Sequence, residues 1–167
     1  MADIREFSKD LNALERACKS GKFLHEAAQY VRGAAVGLCP AMTGTLRTTI
    51  GYSITSDGDI STAHIGTNSE YAMYVEFGTG PKGAANHAGI SPEVNPAYRM
   101  SPWWVHESML DPDAIDYYGW YSIRTKDGVF YKIQGQAAQP FLYPALKDNE
   151  QTVNSIVENG IIGALRR

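Results

Sequence analysis

The stretch EYAMYVEFGTGPKG, residues 70–83, places the letters GTGPKG directly after an apolar, aromatic run. These letters match the GxGxxG fingerprint of dinucleotide-binding folds, whose glycines make a tight turn that opens a helix. The fingerprint also requires room for that helix and an acidic residue about 20 positions further on. Here Pro92 and Pro96 follow too early for a helix of useful length, and Trp103 occupies the distant position. The stretch therefore predicts a chain reversal, and we assign no cofactor to it.

Other catalytic and metal-binding patterns are weak. The four histidines are scattered without zinc-ligand spacing, and no serine lies in a GxSxG motif. We therefore predict no metal site and no catalytic residue. Glu76, between Val75 and Phe77, is interpreted as an inward-facing carboxylate with a structural role. The alternative is a general acid that works with His64 or His106 in a small hydrolase.

Composition excludes further classes of function. The chain has 167 residues, enough for one globular domain, and its 15 basic against 18 acidic residues give a net charge of -3. This balance does not favour tight nucleic-acid binding by charge. No apolar run is long enough to span a membrane and no signal peptide is visible, so we expect a soluble protein made in the cytoplasm. Cys18 and Cys39 lack CxxC spacing and are both predicted to be buried.

The first part of the chain predicts a long helix followed by a hairpin. Apolar residues recur at helical spacing over 4–38, with an interruption at 19–22 that can split the helix, and Pro40 ends it. A strand is then expected to begin near Leu46 and to turn at Asp57-Gly58 into a second strand. The following YAMYVEF is compatible with a short strand or with a turn of helix. A last helical pattern covers 144–165.

Residues 82–136 are predicted to form an aromatic-rich arm within a single domain of residues 1–167. Closely spaced prolines make the first part irregular, and an Asp-Gly turn near Gly128 predicts a second hairpin. Aromatic residues of this arm are of the types that dominate interfaces. Either they contact a partner or they fill a small local core. The candidate interface residues are Trp103, Trp104, Tyr117, Tyr118 and Trp120.

Three separated strings, taken in order, resemble a known family. They are CPAMTGTLRTTI at 39–50, EYAMYVEFGTG at 70–80 and AQPFLYPAL at 138–146. The order resembles the small neck, or minor tail, proteins of long-tailed bacteriophages and prophages. Met42 departs from the pattern, because the family usually has Asp before the Thr-Gly pair. The motif residues are Pro40, Thr43, Gly44, Leu46, Arg47, Tyr71, Ala72, Glu76, Phe77, Gly78, Thr79, Pro140, Phe141, Leu142, Pro144, Ala145 and Leu146.

The resemblance implies an α+β fold: a long N-terminal helix and a C-terminal helix packed on a small antiparallel sheet, with the arm as an insertion. It also implies a structural virion component without enzyme activity at the head-tail junction. Several copies would form a homo-oligomeric ring between the head connector and the tail tube, through which DNA passes without specific binding. Neither a membrane nor a small-molecule substrate is implied. Neck, tail-completion and tail-terminator roles are all compatible with it.

Two alternatives from other classes stay open on the sequence. One is the small hydrolase based on Glu76 and a nearby histidine. The other is a ligand-binding module whose tryptophan-rich arm stacks on a carbohydrate or a protein. In the second case, Trp103 and Trp104 would contact the ligand.

Overall fold

The protein is described by a computed structural model that covers residues 2–19, 21–40, 44–58 and 60–165. Two compact units are present. The first comprises residues 1–72 and 140–167, and the second comprises residues 73–139. The segment predicted to be an arm, 82–136, lies within the second unit. The predicted α+β class is confirmed, because helices accompany two small antiparallel sheets.

The helices and strands alternate irregularly along the chain. The helices are α1 (Ala2–Lys19), α2 (Lys22–Leu38), α3 (Thr45–Thr49), α4 (Ala72–Phe77), α5 (Gly80–Ala85), α6 (Pro112–Tyr118), α7 (Tyr143–Lys147) and α8 (Glu150–Leu165). The strands are β1 (Gly51–Asp57), β2 (Ile60–Gly66), β3 (Trp103–His106), β4 (Ser122–Thr125) and β5 (Gly128–Ile133), and a 3₁₀ turn covers Glu107–Met109. None of the described helices combines the length and the apolar character that crossing a membrane requires.

Helix α2 is the centre of the first unit. It contacts the β1-β2 hairpin and also α7 and α8. Its buried positions Ala27, Val31 and Ala35 recur every fourth residue and so form one stripe. Small side chains on this stripe let neighbouring elements approach the helix closely. Helix α8 packs mainly against α1 and α2. The helix that packs on the β1-β2 hairpin is therefore α2 and not the last helix.

The predicted interruption of the first helix is confirmed. Helix α1 ends at Lys19 and α2 begins at Lys22, and Gly21 between them has a φ of 63°. This left-handed conformation suits glycine because a β-carbon would be strained there. On α1, Lys19 and Glu15 form an ion pair of 2.6 Å, and the hydrogen bond from Lys19 lowers the pKa of Glu15. Cys18 is exposed, contrary to the prediction, whereas Cys39 is buried.

The predicted strand start near Leu46 is wrong. Residues 45–49 form the short helix α3, and strand β1 begins only at Gly51. Two threonine hydroxyls form hydrogen bonds within this helical turn: Thr48 donates to the Thr45 carbonyl and Thr49 to the Leu46 carbonyl, each at 2.8 Å. The predicted hairpin itself is confirmed, because β1 and β2 pair antiparallel on either side of the turn at Gly58.

The last helical pattern, 144–165, forms two helices instead of one. Asn149 lies at the break, and its side-chain oxygen accepts a hydrogen bond of 3.0 Å from the Tyr30 hydroxyl on α2. Lys147 and Glu150 pair across the break at 3.0 Å, and the hydrogen bond with Glu150 raises the pKa of Lys147. Periodicity could not reveal this break, because α7 and α8 carry similar apolar spacing on both sides of it.

The second unit is more regular than the sequence suggested. The stretch YAMYVEF, which is compatible with a strand or a helix in the sequence, contains the helix α4. The predicted second hairpin is confirmed as β4-β5, but β3 pairs with the other side of β5 and gives a three-stranded sheet in the order β3-β5-β4. The first part of the arm, predicted to be irregular, contains the strand β3 and several short helices. Pro112 begins α6 and Asp111 caps it, so this proline starts a helix instead of excluding one.

We expect Phe141→Ala to unfold the first unit at much lower denaturant concentration. Phe141 has an exposed fraction of 0%, so its truncation should leave a cavity and cost about 3–5 kcal/mol. The matched control is Leu146→Ala, because Leu146 is 48% exposed and lies five residues further on. Equilibrium denaturation of the two variants checks the difference. Equal losses of stability would contradict the assignment of Phe141 to the core.

Candidate functional site

The glycine-rich turn of the opening sequence lies against the chain segment that leaves β5. Thr79 and Gln136 exchange two backbone hydrogen bonds, with the Thr79 amide donating at 2.9 Å and the Gln136 amide at 3.1 Å. The Lys82 amide donates to the Gln134 carbonyl at 3.2 Å. Two backbone segments far apart in sequence are thus joined directly. We call residues 78–83 and 134–138 the backbone clasp.

Glycine is required at several positions of the backbone clasp. Gly78 has a φ of 74°, and a β-carbon there would lie 2.6 Å from the Ala138 amide nitrogen. At Gly80 a β-carbon would lie 2.9 Å from the Gln134 carbonyl oxygen. Gly135 has a φ of 78°, and its β-carbon would overlap the Thr79 carbonyl. These glycines are needed because the two main chains approach more closely than any side chain permits.

Tyr98 closes the turn from the other side. Its hydroxyl donates a hydrogen bond of 2.7 Å to the Phe77 carbonyl, and its ring lies against Gly83, where a β-carbon would be 2.8 Å away. The Tyr98 ring also stacks on His87 with a centroid distance of 5.8 Å. The third glycine of the GxGxxG pattern therefore makes room for an aromatic ring of the same unit.

The amides of the turn donate to carbonyl oxygens within the unit. Thr79 donates to Gln136, Lys82 to Gln134, and Gly83 to the Thr79 carbonyl at 2.9 Å. A phosphate-binding turn depends on amide groups of this kind that point at the ligand. In this protein the same groups hold the chain together, which agrees with the predicted chain reversal.

The residues of the proposed enzyme alternative serve local structure. Glu76 is buried in α4, with an exposed fraction of 4%. His106 uses both ring nitrogens, towards the Ser108 hydroxyl at 2.7 Å and the Asp127 carbonyl at 2.9 Å. His64 lies 3.1 Å from the Thr55 hydroxyl across the first hairpin. Within the described part of the chain, no group of three or more His, Cys, Asp or Glu is arranged to hold a metal ion.

The family-motif residues of the first unit lie around the end of α2. Pro40 follows the last turn of this helix, and Gly44 precedes α3 with a φ of 72°. The Arg47 guanidinium donates a hydrogen bond of 2.7 Å to the Cys39 carbonyl, and Leu46 is buried. Thr43 lies outside the described residues. Together these contacts hold α3 against the C-terminal end of α2.

The other motif residues divide between core and surface. Phe141, Ala145 and Ala72 are buried, whereas Tyr71 and Leu146 are exposed. Pro140, Leu142 and Pro144 lie half-buried around Phe141, where the chain enters α7. This distribution supports the structural role given to Phe141 and Ala145.

Among the predicted interface residues, Trp103 belongs to the local core of the second unit. Its ring is half-buried and lies 2.9 Å from the position of a β-carbon on Gly80. The Arg99 guanidinium lies over the same ring, 5.3 Å from its centroid. Trp120 is also half-buried and stacks on Tyr118 at 4.9 Å. The local-core interpretation therefore fits these two tryptophans.

Other aromatic residues of the second unit lie on its surface. Trp104 is 44% exposed, Tyr117 is 75% exposed, and Tyr118 is also exposed. Strand register places Trp104 on the same sheet face as Tyr121, Ile123 and Phe130, because Trp104 and Tyr121 flank Lys132 and Ile123 pairs with Phe130. We call Trp104, Tyr121, Ile123 and Phe130 the aromatic face; the exposed Lys132 lies on it between Trp104 and Tyr121, and Phe130 is half-buried. The sequence prediction did not select Tyr121 and Ile123, although their alternation with Ser122 and Arg124 indicated a shared face.

The fold and these surfaces define a small α+β protein with a glycine-dependent chain reversal and an exposed aromatic sheet face. Residues 5–78 match the model of the HK97-gp10-like family, described as "Bacteriophage HK97-gp10, putative tail-component". The match confirms the predicted resemblance to a phage tail-component family and covers the first sequence string, 39–50, and residues 70–78 of the second. No curated protein and no solved structure matches the chain.

We expect Gly135→Ala to destabilise the second unit strongly. Alanine at this position would have to adopt the positive φ of Gly135, and its β-carbon would displace the Thr79 carbonyl. Gly119→Ala is the matched control, because Gly119 has a φ of 54° but open space around it, so only the conformational cost of about 1–2 kcal/mol applies. Hydrogen exchange of the Thr79 and Gln136 amides measures the effect. Equal protection in both variants would show that the clasp tolerates a side chain.

Proposed function

We propose that the protein is a structural, non-enzymatic virion component that forms a homo-oligomeric ring at the head-tail junction. The ring lies between the head connector and the tail tube, and the protein is made in the bacterial host before it joins the particle. The family match to a tail component supports a role in the virion. The observation that carries assembly is the aromatic face, since a sheet face of this kind is usually covered in a folded protein.

The chemistry of the aromatic face suits a protein partner. Tyrosine and tryptophan supply most of the binding energy in many interfaces because they bury a large rigid area. Tyr121 is 68% exposed and lies beside the exposed Trp104, with ring centroids 6.1 Å apart. Tyr117 contacts Tyr118 edge to face, and both rings are exposed on the same unit. A second copy or another tail protein would remove this surface from water.

The charge of the protein suits a channel for DNA. The net charge is -3, so an unspecific, tight hold on a phosphate backbone is not favoured. In the proposed ring, DNA passes through without specific binding. No small-molecule substrate takes part in this function.

We expect the purified protein to form a ring of several copies that the aromatic face stabilises. Tyr121→Ser should weaken assembly by about 2 kcal/mol or more, roughly 30-fold in concentration, if Tyr121 is an interface anchor. Ile60→Ser is the matched control, because Ile60 is 71% exposed but lies on the first unit. Native mass spectrometry over a range of concentrations gives the comparison. A wild-type protein that stays monomeric at high concentration would refute the proposed ring.

The position in the virion has its own test. We expect phage particles from a strain that carries a stop codon in this gene to accumulate as separate heads and tails. Cryo-electron microscopy of wild-type particles should show the protein's density at the neck. Normal joined particles from the mutant, or density along the tail shaft, would contradict a role at the junction.

A further inference from the structure

The three-stranded sheet of the second unit has two open edges. Strand β5 is central, so β3 and β4 each pair on one side only within the described chain. All four residues of β4, Ser122–Thr125, are exposed. Open strand edges carry unpaired amide and carbonyl groups and readily add another strand.

The hydrogen-bond pattern identifies the groups on each edge. The Lys132 amide donates to the Tyr121 carbonyl at 2.8 Å, so the backbone groups of Tyr121 point towards β5. Because this direction alternates along an antiparallel strand, the groups of Ser122 and Arg124 point outwards from β4. On β3, the same alternation directs the groups of Trp104 and His106 outwards.

We propose that β4 of one copy pairs in parallel with β3 of the next copy, so that the sheets join around the ring. This inference rests on the proposed ring and identifies its contact. Both strands run antiparallel to β5 and are therefore parallel to each other. Successive copies in a ring are related by one rotation, so the same β4-to-β3 contact can repeat around the ring. The two strands also have the same length, four residues.

One register satisfies the backbone groups and the side-chain faces together. With Trp104 level with Ile123 of the neighbouring copy, the Trp104 amide donates to the Ser122 carbonyl and the Arg124 amide to the Trp104 carbonyl. The His106 amide then donates to the Arg124 carbonyl. In this register Trp104 and Ile123 lie side by side on the aromatic face, which continues from one copy to the next.

Charge favours this head-to-tail pairing over a symmetric one. The proposed register brings Lys126 of the β4-β5 turn level with Glu107, which follows β3 and whose carboxylate accepts a hydrogen bond of 3.1 Å from the Val129 amide of its own copy, so a positive side chain lies near a negative one. A symmetric pairing of β4 with another β4, with Ile123 opposite Ile123, would place each Arg124 across from Ser122 and leave the two Arg124 side chains as diagonal neighbours about 7–8 Å apart, so it offers no pair of opposite charges. It would also leave both β3 edges open and could not close a ring.

Disulfide trapping tests the pairing. In a Cys18→Ser background we expect Trp104→Cys combined with Ile123→Cys to give a ladder of covalent oligomers on mild oxidation. Within one copy β5 separates these positions by two strand spacings, about 9–10 Å, which is too far for a disulfide. The single variants are the controls and should give at least tenfold less cross-linked product. Equal cross-linking by Ile123→Cys alone would indicate β4-β4 pairing and overturn the proposal.

An edge variant gives the second measurement. Arg124→Pro removes an outward amide and leaves the ladder to β5 complete, so it should weaken assembly on the order of tenfold. Arg124→Ala retains the amide and is the matched control. Protection of the Phe130 amide from exchange verifies that β4 remains paired. A wild-type protein without oligomers would remove the ring and this contact together, whereas oligomers unaffected by Arg124→Pro would overturn only the edge pairing.

Discussion

The close approach of two main chains, residues 78–83 and 134–138, is the constraint on which the second unit depends. It brings the end of α4 beside the segment that follows β5, although Thr79 and Gln136 are 57 positions apart in the sequence. Side chains larger than hydrogen at Gly78 or Gly135 would separate the two chains. The Thr79, Lys82 and Gly83 amides of this turn donate to carbonyl oxygens of the same unit. A pattern that looks like a cofactor motif thus closes a structural loop.

Some aromatic residues of the second unit are packed inside it, and others are exposed on its surface. Trp103 and Trp104 are neighbours on one strand and therefore point to opposite faces of the sheet. Trp103 packs near Gly80 under Arg99, whereas Trp104 lies on the exposed aromatic face. The local-core interpretation therefore fits Trp103, whereas the interface interpretation stays a proposal for Trp104. The first unit retains its own core around α2 and Phe141.

Local chemistry made several features predictable. The two Asp-Gly turns predicted both hairpins, and Gly21 indicated where the first helix divides. Both features depend on the backbone conformation of glycine, which is decided within a few residues. The strand start near Leu46 was not predictable in this way. Threonine favours strands in general, yet the Thr48 and Thr49 hydroxyls donate to carbonyls three residues back within a helical turn. At the break, Asn149 accepts a hydrogen bond from Tyr30 of α2, a distant contact that no local pattern reveals.

By itself the sequence determined the mixed α+β class, the two hairpins and the resemblance to phage tail components. Turn residues, apolar periodicity and ordered motifs can all be recognised within short stretches of sequence. Only the tertiary structure decided that β3 joins the second hairpin, that Trp103 is packed while Trp104 is exposed, and that the glycine turn meets residues 134–138. These outcomes depend on contacts between segments that are distant in the sequence. Such contacts are decided by long-range backbone pairing and close packing, and not by neighbouring residues.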